Sequence, residues 1–122
     1  MIEQMELFPR ASAKDVNAVK AMLKKYPTMR RRLEVLSRKQ ELTDDEKEIF
    51  DSYIATIENI EISIDSIVDD EIRQIMRYRF IENFPRKSAV IKWTTFTDRT
   101  LDRKIIEGIE EMADILKLYG KI

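Results

Sequence analysis

The residues best suited to chemistry in this chain are the arginines and lysines of its C-terminal half. Residues 73–104 contain nine Lys/Arg and three Asp/Glu, a net charge of +6 in a chain whose net charge is −1. Guanidinium and ammonium groups donate charged hydrogen bonds to phosphate, and the guanidinium fork also fits the acceptor edge of guanine. This local excess of positive charge predicts a surface that binds nucleic acid.

Other kinds of chemistry have little support in the composition. The chain has no Cys and no His, which excludes disulfides, thiol and imidazole catalysis, and nearly every zinc site. Acidic clusters at 44–46 and 65–70 could hold Mg²⁺, but helix capping explains them better. We therefore expect no catalytic residue, no metal, no cofactor and no enzymatic activity.

The sequence also predicts a cytoplasmic protein. No stretch of about eighteen apolar residues could span a membrane. The first residues are acidic and lack the apolar segment of a secretory signal.

The spacing of apolar residues, caps and breakers predicts an all-α protein. Thr43 and Glu46 form a capping box, Pro27 and Pro85 are expected to end helices, and Gly120 suits the position after a helix. The predicted architecture is a helical bundle with a long central helix and a C-terminal helix-turn-helix. We divide it at residue 70, into an N-terminal helical or oligomerisation region (1–69) and a DNA-binding region (70–122). The expected helices are 13–26, 29–40, 44–68, 70–83, 87–93 and 98–118.

The central helix carries an apolar seam with near-heptad spacing, which includes Tyr53, Ile57, Ile60 and Ile64. One interpretation is a homodimer, since DNA regulators often bind paired half-sites. The other is that the seam packs against the first helices of the same chain, because a chain of 122 residues needs that surface for its core.

Charge is distributed in blocks along the N-terminal half. Residues 10–39 have a net charge of +8, and residues 40–72 have a net charge of −11. The basic block, with Arg30, Arg31 and Arg32 at its centre, could bind phosphates or RNA. Alternatively, it is a solvated helix face that pairs with the acidic block.

The last predicted helix has the two faces that a DNA-reading helix requires. On a helical wheel, Leu101 and Ile105 lie on one side and Arg99 and Arg103 on the other. The apolar side would anchor the helix, with Trp93 largely buried beside it, while the arginines reach base edges. The preceding short helix would contact phosphates. The candidate DNA-binding residues are Arg86, Lys87, Ser88, Lys92, Thr97, Arg99, Thr100, Arg103 and Lys104.

Three segments resemble a known family. Residues 76–84 (MRYRFIENF) resemble the LRLRYIEGL segment that opens the sigma-factor-like helix-turn-helix of RinA/ArpU-type phage transcription regulators. Residues 98–103 (DRTLDR) are similar to the start of that family's recognition helix, SRRTVYR. Residues 26–34 (YPTMRRRLE) are similar to the start of many members. The chain departs from the family at Asn83, where members have Gly, and in residues 93–97, where the turn lacks Gly and is one residue longer.

The resemblance implies a regulator of phage late transcription in the host cytoplasm, which binds double-stranded DNA and contacts host RNA polymerase. A second function class stays open. The unusual turn and the net negative charge of the chain favour a helical protein-interaction module, a polymerase-binding or anti-host factor without sequence-specific DNA binding.

Overall fold

The computed structural model describes residues 10–122, and every regular element in that range is helical. The prediction of an all-α protein is confirmed. Five α-helices and one π-helical segment follow each other in the order α1 (Ala13–Ser37), α2 (Asp44–Asp65), α3 (Asp70–Met76), the π-helical segment (Arg77–Ile81), α4 (Arg86–Lys92) and α5 (Asp98–Leu118).

Local capping signals fix where most helices begin. Ser12 accepts from the Asp15 amide and Asp15 accepts from the Ser12 amide, so α1 starts with a capping box. Thr43 and Glu46 form the predicted capping box at α2. Thr97 caps α5.

The prediction that Pro27 ends a helix is wrong. Helix α1 runs through Pro27 for 25 residues, in place of the two predicted helices 13–26 and 29–40. Leu23 before the proline and Met29 after it are both buried in the same core. Packing on both sides therefore outweighs the cost of about 3 kcal/mol for proline inside a helix.

Two other predicted bounds also change. Helix α2 ends at Asp65 and not at residue 68, because the chain turns there into α3: the Ile67 carbonyl accepts from Arg73 Nη1 at 2.7 Å, and Asp69 caps the next helix. The predicted helix 70–83 is α-helical only to Met76, and the π-helical segment then widens the last turn. Asn83 follows with a φ of 61°, which reverses the chain before Pro85.

One hydrophobic core joins both sides of the predicted division at residue 70. Val19 and Leu23 of α1, Ile60 of α2, and Met112 and Leu116 of α5 belong to the same buried cluster. No helix within residues 10–122 is both long enough and apolar enough to cross a membrane.

The central seam is used inside this core. Ile57, Ile60 and Ile64 are buried within the single chain, and Tyr53 packs at the edge of the cluster. The prediction of a dimer seam required these three isoleucines to be exposed to a second copy. Because they are buried within one chain, they cannot form that interface.

Helix α5 crosses α3 closely at Gly108. A Cβ atom at this position would lie 2.6 Å from Met76 Sδ and 3.1 Å from Ile72 Cγ2. The glycine sets the distance between the two helices, and so orients the N-terminal turns of α5.

Candidate nucleic-acid interface

Helices α4 and α5 are joined by a five-residue turn, 93–97, and are held by a small apolar cluster of their own. Ile75, Ala89 and Leu101 are fully buried there. Trp93 packs edge-on against Tyr78, with ring centroids 5.2 Å apart, but it is only partly buried. Most of the Trp93 surface is covered, as expected, although the side chain lies on the rim of the cluster and is not fully buried.

The outer face of α5 presents the two arginines that the wheel predicts. Arg99 and Arg103 are one turn apart and exposed, and Leu101 between them is only 1% exposed. Lys87 on α4 is also exposed. Within residues 10–122 none of these three cations takes part in an ion pair.

Arg86 lies at the same end of the molecule but is bound to α5. Its guanidinium donates two hydrogen bonds to Asp102, of 2.7 and 2.9 Å, and lies 4.0 Å from Asp98. The hydrogen bond from Arg86 lowers the pKa of the Asp102 carboxyl, and the same contact raises the pKa of Arg86. The Arg86 guanidinium therefore holds α4 against α5. A phosphate could bind this guanidinium only in competition with the carboxylates of Asp98 and Asp102.

Lys92 and Lys104 are each drawn towards aromatic rings. The Lys92 ammonium lies 5.4 Å from the centroid of Tyr78 and 5.6 Å from that of Trp93. The Lys104 ammonium lies 5.1 Å from the Phe96 centroid and 3.1 Å from a carboxylate oxygen of Glu71. Such cation–π contacts are weak when exposed, so the Lys92 ammonium can leave the rings to bind an anion. The Lys104 ammonium, by contrast, is neutralised by its ion pair with Glu71.

Two of the three hydroxyl residues of the candidate set are hydrogen-bonded to each other. Thr97 accepts from the Thr100 amide, and the two threonine hydroxyls lie 3.0 Å apart. Ser88 is half-buried at the start of α4. The structure thus brings the nine candidates together on α4, α5 and the turn between them, and within residues 10–122 it leaves Lys87, Lys92, Arg99 and Arg103 without an ion pair.

Arg79 is not among the nine residues that the sequence predicts to bind DNA. Its Nη1 donates to the Phe84 carbonyl at 2.8 Å, while its Nε is buried with no partner among the described residues. Burial lowers the pKa of Arg79, and the positive charge of Arg86 nearby lowers it further. In the sequence, Arg79 is visible only as one of the closely spaced basic residues Arg77 and Arg79. Within residues 10–122, Arg77 pairs with Asp65, whereas Arg79 has no acidic partner.

No protein-family model, curated protein or solved structure matches this chain.

Proposed function

We propose that this chain binds double-stranded DNA with the outer face of α5 and regulates transcription. The observation that carries the proposal is the pair of exposed arginines, Arg99 and Arg103, one turn apart and without an ionic partner among residues 10–122. Leu101 between them is buried, so the helix that carries the arginines is fixed. A fixed helix with forked donors on its first turns suits the major groove.

The phage setting rests on the resemblance to RinA/ArpU-type regulators. Asn83 is a point in its favour, because the resembled family has Gly there and the backbone at Asn83 is left-handed, with φ 61°. Asn is the residue other than Gly that best tolerates this conformation. Late-gene control in the host cytoplasm, contact with host RNA polymerase and binding as a dimer to paired half-sites all belong to this proposal.

A protein-interaction module is the second candidate. Asp98 and Asp102 stand beside Arg99 on α5 and would repel a DNA backbone. Ile91 on α4 is 67% exposed and Phe84 is 44% exposed at the same end of the molecule. Exposed apolar side chains around a charged centre favour a protein partner such as a polymerase subunit.

Selection of bound duplexes from a random-sequence library, followed by binding measurements, separates the two candidates. We expect the wild type to enrich a motif, and Arg99→Ala with Arg103→Ala to lose it at a cost of roughly 1–3 kcal/mol for each base contact. The control variant, Lys47→Ala with Lys121→Ala, loses the same charge at exposed positions elsewhere and should keep the motif. An unchanged motif in the arginine variant would exclude this face and favour the interaction module.

A further inference from the structure

The least neutralised basic surface of the described chain lies on α1. Its two acidic residues are engaged, since Asp15 is bound to Lys117 at 3.0 Å and Glu34 to Arg38 at 2.7 Å. Within residues 10–122, only Lys39 of the basic block pairs with the acidic block, through Glu46 on α2, and Lys39 lies beyond the end of α1. The alternative in which the basic block is neutralised by the acidic one therefore does not describe this structure.

The cations of α1 form two rows. At about 100° per residue, the rows are about 100° apart around the helix axis and extend over about 27 Å. The first row is Lys20, Lys24 and Arg31, and the second is Lys14, Lys25 and Arg32. All six are exposed, and within residues 10–122 the ion-pair contact among them is a 3.9 Å approach of Arg31 to Glu34.

The strip between the rows consists of small and polar residues. Asn17, Ala21 and Thr28 lie there and are exposed. Protein interfaces are usually centred on large aromatic or aliphatic anchors, which this strip lacks. A linear polyanion needs no such anchor, because it gains its affinity by releasing counterions along a row of cations.

The neighbouring helix supports one of the rows. Arg32 donates from Nη1 to the Tyr53 hydroxyl at 3.1 Å, which holds the guanidinium beside α2 without neutralising it. Ser52 and Thr56 on α2 add hydroxyls to the groove that runs along Lys25 and Arg32. The Ser52 hydroxyl can donate a hydrogen bond to a phosphate oxygen, whereas the Thr56 hydroxyl donates to the Ser52 carbonyl at 3.0 Å.

We propose that this α1 track, the two cation rows with the strip between them, binds the phosphodiester backbone of a nucleic acid independently of base sequence. The track lies on a different helix from Arg99 and Arg103, so it acts whether or not α5 reads bases. Its contacts with the phosphodiester backbone do not depend on base sequence, and they are expected to dominate the salt dependence of nucleic-acid binding.

The test titrates three labelled oligonucleotides of equal length and scrambled sequence, a DNA duplex, a single DNA strand and a single RNA strand, over a series of salt concentrations. For Lys24→Gln with Lys25→Gln, we expect affinity for the preferred nucleic acid to fall by about tenfold at low salt. The slope of log K against log salt should flatten by about 2 for a duplex or about 1.4 for a single strand. The control, Lys47→Gln with Lys121→Gln, loses the same charge and should differ little from wild type.

The comparison among the three oligonucleotides identifies the nucleic acid. Equal behaviour of the track variant and its control would overturn the proposal. So would displacement of the oligonucleotide by polyglutamate, at equal charge, as readily as by unlabelled nucleic acid, since the surface would then suit an acidic protein. Arg99→Ala with Arg103→Ala is measured in parallel on the selected motif, so a failure of the track and a failure of the α5 proposal are seen separately.

Discussion

Asn83 reverses the chain between the π-helical segment and α4, with a left-handed φ of 61°. A side chain with a Cβ atom costs about 1–2 kcal/mol in this conformation, and the short polar side chain of Asn reduces that cost. We expect Asn83→Ala to lower the free energy of unfolding by about 1 kcal/mol, and Asn83→Gly to change it by only a few tenths. Urea unfolding of the two variants measures both effects. An Ala variant as stable as the Gly variant would mean that the turn relaxes to another conformation.

Asp102 gives a pH-dependent contact between α4 and α5. The hydrogen bond from Arg86 holds the pKa of Asp102 below its ordinary value of 3.8 in the folded protein. The contribution of the Arg86–Asp102 contact to the free energy of unfolding is therefore fully present above the unfolded-state pKa of Asp102. It is lost as the pH falls through the lower folded-state pKa. We expect Asp102→Asn to unfold at lower urea concentration than wild type at about pH 7, and the difference to shrink as the pH falls below the ordinary carboxyl pKa of 3.8. A difference that persists in acid would assign the effect to packing rather than to charge.

At the scale of elements, sequence predicts what is decided locally and misses what is decided by tertiary packing. The capping box of Thr43 with Glu46 and the bounds of α5 depend on a few neighbouring residues, and both are confirmed. The continuation of α1 through Pro27 depends on α2 and α5 covering both halves of it. The candidate site divides in the same way. The amphipathic character of α5 is visible in sequence, whereas the Arg86–Asp102 pair joins residues 16 positions apart and depends on the packed angle between two helices.

Helix α1 should be more stable without its proline. Pro27 donates no hydrogen bond inside the helix, a defect of about 3 kcal/mol relative to Ala, of which roughly 1 is returned by the stiffer unfolded chain. We expect Pro27→Ala to raise the free energy of unfolding by about 2 kcal/mol. Thr28→Ala, at the exposed neighbouring position, serves as the control and should change it by less than about 0.7. A destabilised Pro27→Ala would show that the core requires a bend at the proline.

Because α3 and α5 cross at Gly108, we expect the effect of Gly108→Ala on the free energy of unfolding to change sign when Met76 is truncated. Ala favours a helix over Gly by up to about 1 kcal/mol, but its Cβ would meet Met76 in a packed core at a cost of about 1–3. Gly108→Ala should therefore destabilise the wild type, and should stabilise the Met76→Ala variant, in which the two nearest obstructing atoms are gone and Ile72 Cγ2 remains at 3.1 Å. A double-mutant cycle by urea unfolding measures the coupling. Equal effects in both backgrounds would mean that the two helices separate without cost.

At the scale of the whole molecule, α1, α2, α3 and α5 share one core, while α4 packs with Ile75 and Leu101 in a second, smaller cluster. Met112 and Leu116 of α5 are fully buried among residues of α1 and α2, while Arg99 and Arg103 lie at the other end of the same helix. The N-terminal region therefore stabilises the helix that carries the proposed DNA contact. We expect the chain to unfold in one cooperative transition, and a fragment of residues 70–122 to lack such a transition, because its buried residues Ile109, Met112 and Leu116 pack in a core that the absent helices complete.

Leu116→Ala tests this coupling in the intact chain. Truncating a fully buried leucine should cost about 2–5 kcal/mol. If the core is shared, amide hydrogen exchange should accelerate in the deeply buried turns of α1 and α2 as well as in α5, and by the same free energy. Ile91→Ala, which truncates an exposed side chain on α4, is the matched control and should leave exchange in α1 unchanged. Faster exchange confined to residues 70–122 would mean that the region carrying Arg99 and Arg103 unfolds on its own, and the α1 track would then sit on a separate folding unit.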